Sequence, residues 1–399
     1  MDDLILDEQT MKKDHTADTV KGNVTMFNTL TERWKSATRI QKISLITLGL
    51  VIVGAIIFAM AGFGKTETSL SIPTLSNQPN NLAIDTPQEP KDKQVPLTGE
   101  FVTQSEYADI TARKVMAIVV ENHPDARPQS GLDQADVIYE TLTEGGISRF
   151  LAMYQSKEPE VVGPVRSVRK YFLDLIGGYG DPLFMHIGGA VSDNPEANAL
   201  AVLAQRSVKS VGLLNGTFYR VSDRFAPHNA YSNAIELRKI AQGAGWTSIS
   251  GLDVWKYKDA VAPVENVTVP EISINWGSWG ENVWSVSWQF DGETNQYKRF
   301  HQTVEHVDAL TGKQLSARNV VVLSTGMRSA NDGTARIVVD VMGSGVAKVF
   351  RDGTVVEGTW SKPTWDVNYI FTDAQGQEIL MNRGNTWVMV VPLDSEVSY

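Results

Sequence analysis

No cysteine occurs anywhere in the 399 residues. That excludes disulfide staples, thiolate nucleophiles, cysteine metal sites and attachment of a bacterial lipid to a cysteine. Positive charge is in short supply as well: 36 Lys and Arg stand against 46 Asp and Glu, for a net charge of −10. No Lys/Arg-rich block follows the first apolar run, so general nucleic-acid binding, which needs a basic face for phosphates, is excluded. Sharp catalytic signatures are missing too. The chain has no GxSxG elbow, no HExxH pair, no Walker loop and no GxGxxG in strand–helix context. No internal repeat is apparent.

What is present begins with one long apolar run. Ile43–Phe63 carries no charged residue, and its length matches the ~20 residues that cross a bilayer core. Arg33, Lys35, Arg39 and Lys42 flank it on one side and Lys65 alone on the other. The positive-inside rule then reads 1–42 as a cytoplasmic tail, 43–63 as a transmembrane helix and the rest as extracytoplasmic. A cleaved signal peptide is the rival reading, but it needs a short charged region and a small-residue cleavage site. Residues 64–96 hold Pro73, Pro79, Pro87 and Pro90 among Asn and Ser, the composition of a disordered linker.

From Arg113 strands and helices alternate. Lys114–Val120 reads as a strand buried on both faces, followed by strands at Ala135–Glu140, Arg149–Tyr154 and Leu183–Ile187. Helices are expected from Arg166 to Ile176, from Pro195 with Asn194 as cap, and from Asn233 to Gln242. Asn233 and Glu236 have capping-box spacing, with Gly243 to close the helix. Residues 97–262 therefore form an α/β domain with a sheet covered by helices. After Pro263 the period changes. Trp284, Val286, Trp288 and Phe290 alternate with polar residues, and Asp352-Gly353 separates two strand-like runs as a hairpin turn. Residues 263–399 read as a β-rich domain.

The polar residues that stand out of pattern lie at the ends of the apolar runs, where open α/β sheets bind ligands. In GPVRSVRK, Arg166, Arg169 and Lys170 occupy an expected helix start, where the macrodipole disfavours cations unless an anion sits between them. Arg166, Arg169, Arg149, Arg224, Arg127, His123 and Asn229 are the candidate ligand-binding residues. Glu140, Glu144, His186 and His228 are the candidates for proton transfer. Each has a plainer reading: His186 as a core histidine, Glu140 and Glu144 as structural partners of Arg149 and Arg166, His123 as a turn former, and Trp284 and Trp288 as core or groove-lining. No ligand spacing identifies a metal site, and no cofactor is evident.

The order of these motifs resembles a known family. VVENHPDARPQSGLDQADVIYETLTEGGISRFLAMYQ, GPVRSVRKYFLDL, HIGG and APHNAY, with VFRDGTVVEGTWSK and NRGNTWVMVVP later, look like the two domains of the bacterial YerB-type family. The resemblance covers about Leu97 to Pro392 and implies an extracytoplasmic protein of unestablished activity. Many members are anchored through a lipidated cysteine, which this chain replaces with Ile43–Phe63. A coarser likeness is to the LytR-CpsA-Psr phosphotransferases, in which arginines and Mg²⁺ hold a polyprenyl pyrophosphate. On that analogy Arg166 and Arg169 clamp the pyrophosphate, although Ser167 stands where those enzymes carry an acid. Taken together, the expectation is an anionic cell-envelope ligand, such as a phosphate- or pyrophosphate-bearing glycan or lipid carrier. An enzyme of this kind would be a glycopolymer phosphotransferase or hydrolase. The alternative is a non-enzymatic scaffold that binds another envelope protein through the β-rich domain.

Overall fold

The longest apolar runs beyond residue 100 become strands with no solvent-facing side. The computed structural model describes residues 89–260, 262–280 and 284–399. The expected tail, the Ile43–Phe63 span and most of the linker lie outside them. Within the described residues no helix is long and apolar enough to cross a membrane. Order reaches back into the stretch read as linker, since Lys93–Gln94 pairs antiparallel with Phe101–Val102 and Val95 is buried.

Strands β1 (Met116–Glu121), β2 (Val137–Leu142) and β3 (Ser148–Tyr154) are buried along their whole length. They pair antiparallel with β3 in the middle. β4 (Leu183–Met185) adds to β1 in parallel and β5 (Lys209–Ser210) adds to β4. The later segment supplies β6 (Glu271–Ile274), β7 (Val286–Asp291), β8 (Gln296–His301), β9 (Asn319–Thr325), β10 (Gly343–Arg351), β11 (Thr354–Lys362), β12 (Ile370–Asp373) and β13 (Thr386–Pro392).

These strands do not stay with their own segment. One ten-stranded sheet runs β12–β11–β10–β9–β13–β2–β3–β1–β4–β5. β13 is parallel to both neighbours, with Val388 opposite Val321 on one side and Tyr139 on the other. A second sheet, built on antiparallel β6, β7 and β8, packs Ile272, Trp288 and Tyr297 into the same apolar core. The β10–β11 hairpin turns at Asp352-Gly353, both at positive φ (54° and 62°), the type I′ geometry that matches strand twist.

Helices are few and short. α1 (Gln104–Thr111) starts with a complete Thr103/Glu106 capping box. α2 (Lys170–Ile176) begins four residues later than Arg166. Residues 165–168 are held extended, because Arg166 N–H donates to Val119 O and Val165 and Val168 bridge to Val120 and Gly189. The apolar spacing that suggested an earlier start is met by Val168 pointing into the core from extended chain. α3 (Ala199–Gln205) is capped by Asn198 rather than Asn194, whose side chain instead accepts from Glu196 N in a preceding turn. α4 (Ala234–Gly243) is capped by Asn233 through Glu236 N as expected. Glu236 itself pairs with Lys239.

Candidate functional site

The C-terminal ends of β1, β2 and β4 and the start of β3 meet at one edge of the main sheet. Glu121 closes β1 there. Nearly buried, it lies 2.8 Å from Arg166 Nε and accepts from His228 Nδ1 at 2.9 Å. A carboxylate can only accept, so His228 carries a proton on Nδ1, and in its neutral form Nε2 holds the lone pair. His123, two residues beyond Glu121, stacks on His228 with ring centroids 4.6 Å apart and 21° between planes. Its Nδ1 accepts from Asp125 N at 3.2 Å.

The two loops that bring these imidazoles together are tied at several points. Arg224 donates to Ala126 O (2.7 Å) and Pro128 O (2.8 Å), which joins the 221–229 loop to the 122–129 loop. Asn229 supports its own loop by donating to Val221 O and Arg224 O. Asn122 takes hydrogen bonds from Arg127 Nε and Gln129 Nε2 and donates to Ser148 Oγ. Arg127 also lies over the Trp284 ring at 5.5 Å. Its Nη2 is buried without a partner, and burial together with nearby Arg299 lowers its pKa to about 10.

Arg149 sits deeper, only 5% exposed, on the strand position directly opposite Glu121. It donates to Ser167 O, but no carboxylate pairs with it among the described residues, and its Nε is unpartnered. Burial, with Arg169 next, pushes its pKa down to about 10. Arg169 makes a two-pronged pair with Glu144, from Nε at 2.5 Å and Nη2 at 2.7 Å. Burial raises the Glu144 carboxyl, but Arg169 outweighs it and the net shift is downward. An open groove of about 460 Å³ runs beside the Glu144 turn, lined among others by Thr143, Gly145, Gly146, Trp279 and Ile337.

Two of the expected proton-transfer residues are enclosed elsewhere. Glu140, inside β2, is 0% exposed and accepts both 2.9 Å contacts from Arg299 Nη2, one from Ser148 Oγ and one from Trp387 Nε1. Glu140 thus pairs with Arg299, not Arg149, and Arg166 pairs with Glu121, not with Glu140 or Glu144. His186 donates from Nδ1 to Gly188 O and accepts at Nε2 from Ser210 Oγ, both at 2.7 Å, and burial lowers its pKa. That is a satisfied core histidine, and Gly188, whose carbonyl accepts from its Nδ1, sits at a φ of +69° that favours glycine.

The structure therefore gathers His123, Arg127, Glu144, Arg149, Arg166, Arg169 and His228 at one edge, with Arg224 and Asn229 bracing it. Sequence reading passed over Glu121 as the hub and Asp125 as its neighbour. It also passed over Arg299, His301 and His306, which fill the space behind Glu140. Arg299 Nη1 donates to His306 Nδ1 and, at 3.2 Å, to His301 Nε2. His306 in turn donates from Nε2 to Gln129 at 2.7 Å. The signal was period two: Tyr297, Arg299 and His301 share the buried face of β8.

Comparisons with known proteins identify the family. Residues 97–247 match the N-terminal domain and 272–388 the C-terminal domain of DUF3048, a protein family of unknown function. The chain is 31% identical over 307 residues to the Bacillus subtilis (strain 168) protein named "Putative lipoprotein YerB", which covers 77% of this chain and 88% of that protein. A crystal structure of YerB from Bacillus subtilis superposes with a TM-score of 0.65 at 28% identity, over 77% of this chain and all of that one.

Proposed function

The chain belongs to the two-domain DUF3048 family, and we propose that it binds an anionic cell-envelope ligand at the sheet edge around Arg149. A phosphate- or pyrophosphate-bearing glycan or lipid carrier fits. The observation that carries this reading is a buried guanidinium without a carboxylate: Arg149, beside Arg166 and Arg169. A buried cation is costly unless a counter-charge reaches it, and a multivalent oxyanion accepts from several guanidinium groups at once. Arg127, which pairs with no carboxylate among the described residues, supplies a second cation nearby. Phe225 is 90% exposed in the turn that ends at His228, an apolar surface beside the charged one, as a lipid-linked anion requires. If the ligand is turned over, His228, braced by Glu121, is the group at this edge that acts as a base when no metal occupies its Nε2.

The extracytoplasmic placement rests on the relative named as a lipoprotein and on Ile43–Phe63 as the anchor in place of a lipidated cysteine. A second reading has its own support. Arg166 and Arg169 are already paired with Glu121 and Glu144, as an internal ion network in a protein-binding scaffold would have them.

Calorimetric titration of the purified full-length chain with inorganic pyrophosphate separates the two. Binding that weakens tenfold or more in Arg149→Gln and in Arg127→Gln, and that falls with added salt, supports the ligand site. A flat titration, or binding indifferent to both substitutions, removes it and leaves the scaffold.

A further inference from the structure

We propose that His123, Asp125 and His228 form a divalent metal site of the Zn²⁺ type. Each offers one ligand atom, and these atoms lie within 4.8 Å of one another. Donors around a tetrahedral zinc at ~2.0–2.1 Å bonds stand ~3.3 Å apart, so the set must draw in by up to about 1.5 Å and the stacked rings must turn to aim at one ion. One pair is nearly there: His123 Nδ1 is 3.6 Å from Asp125 Oδ2.

The protonation pattern suits a metal. His123 Nδ1 carries a lone pair that now accepts from the Asp125 N–H, and a metal bound there takes the place of that hydrogen bond. His228 holds its proton on Nδ1 against Glu121, which leaves Nε2 as a donor and gives the carboxylate–histidine–metal relay that orients and strengthens an imidazole ligand. The supports are rigid while the ligands can adjust. Arg224 joins the two loops, and Asn122 and Gln129 fix the first of them. The His123 and Asp125 side chains, by contrast, are 31% and 72% exposed. Two imidazoles and one carboxylate select a borderline ion such as Zn²⁺ over Mg²⁺, which prefers oxygen donors. Three protein ligands leave a coordination position open to solvent, the arrangement of reactive rather than structural zinc sites.

This site stands on the geometry of its three ligands and does not depend on the anion reading, so it is tested without any anion. The full-length chain, stripped with chelator and dialysed, is titrated with ZnCl₂ by calorimetry and with CoCl₂ by visible absorption. The expected result is one ion per chain, with d–d bands of a four- or five-coordinate nitrogen/oxygen site. Affinity should fall at least 100-fold in His228→Ala and in Asp125→Asn, and about 10- to 100-fold in Glu121→Gln. Asp125 is exposed enough that its substitution leaves folding intact, so that variant decides the matter even if another fails to fold. No stoichiometric binding, or binding unchanged by Asp125→Asn, overturns the proposal.

Discussion

Replacing Glu140 by Gln should be among the most damaging single-atom changes in this protein. Arg299 is 0% exposed, and Glu140 is its only acidic partner within the described residues. Around it lie the rings of Phe150, Trp288 and Trp387, at 5.5, 5.7 and 4.9 Å. Gln removes the charge. It also turns an NH₂ group toward Arg299 and either the Ser148 hydroxyl or the Trp387 indole, all of which donate to the present carboxylate. Leaving one member of a buried pair uncompensated costs ~3–5 kcal/mol, and at ~2 °C per kcal/mol for a chain of this size the melting temperature should fall by about 6–10 °C. Urea unfolding followed by tryptophan fluorescence reads this directly, since Trp288 and Trp387 flank the pair. A cycle with Arg299→Gln should give a coupling of ~2 kcal/mol or more at an unchanged urea slope. A loss below 1 kcal/mol for Glu140→Gln, or additive single effects, would refute the reasoning.

Three other outcomes are expected. His301 and His306 are held neutral by burial and by Arg299, with pKa values well below the usual range. The unfolded chain therefore binds more protons as pH drops below ~6.5, and stability should fall by roughly 2–3 kcal/mol between pH 7.5 and 5.5. Urea midpoints at the two pH values test this, and the loss should shrink in His306→Gln. Gly212→Ala should lower the melting temperature, because its Cβ would stand 2.0 Å from His186 O, an overpacking worth ~1–3 kcal/mol. Gly251→Ala, with open space around it, should be neutral. Asp352→Ala should cost ~2 kcal/mol, since Asp352 takes hydrogen bonds from Lys258, Asn295 and Asn382 at positive φ, and Asp352→Asn should recover part of it in thermal melts.

Local patterns were legible where one short stretch determines the outcome. The Asp352-Gly353 turn and the Asn233 cap appear as read, and the 284–290 alternation appears in part, as a strand from Val286 to Asp291 in which Ser287 is buried as well. The gathering of charged residues at the ends of β1 and β2 was legible too, because a sheet that ends in polar residues must place them together. Partner choice was not. Arg166 faces Glu121 across 45 positions of chain and Glu140 faces Arg299 across 159, and nothing local encodes which carboxylate meets which guanidinium. GPVRSVRK misled for a definite reason: Val168 and Phe172 fit a helical stripe, but the first of them reaches the core from extended backbone. Strand order was hidden as well, because the strands in the centre of the sheet are all predominantly apolar and buried, and burial alone does not say which lies beside which.

The position of β13 sets a timetable for the chain's own birth. Synthesis delivers β2 long before β13, yet the two are direct neighbours. Throughout the interval β2 has one bare edge of unpaired N–H and C=O groups, the kind that captures a passing strand. The nascent protein must therefore be shielded, or kept from pairing, until its final stretch emerges. A ribosome stalled before residue 386 should present a sticky half-sheet, and release of the last residues should close it in a single step.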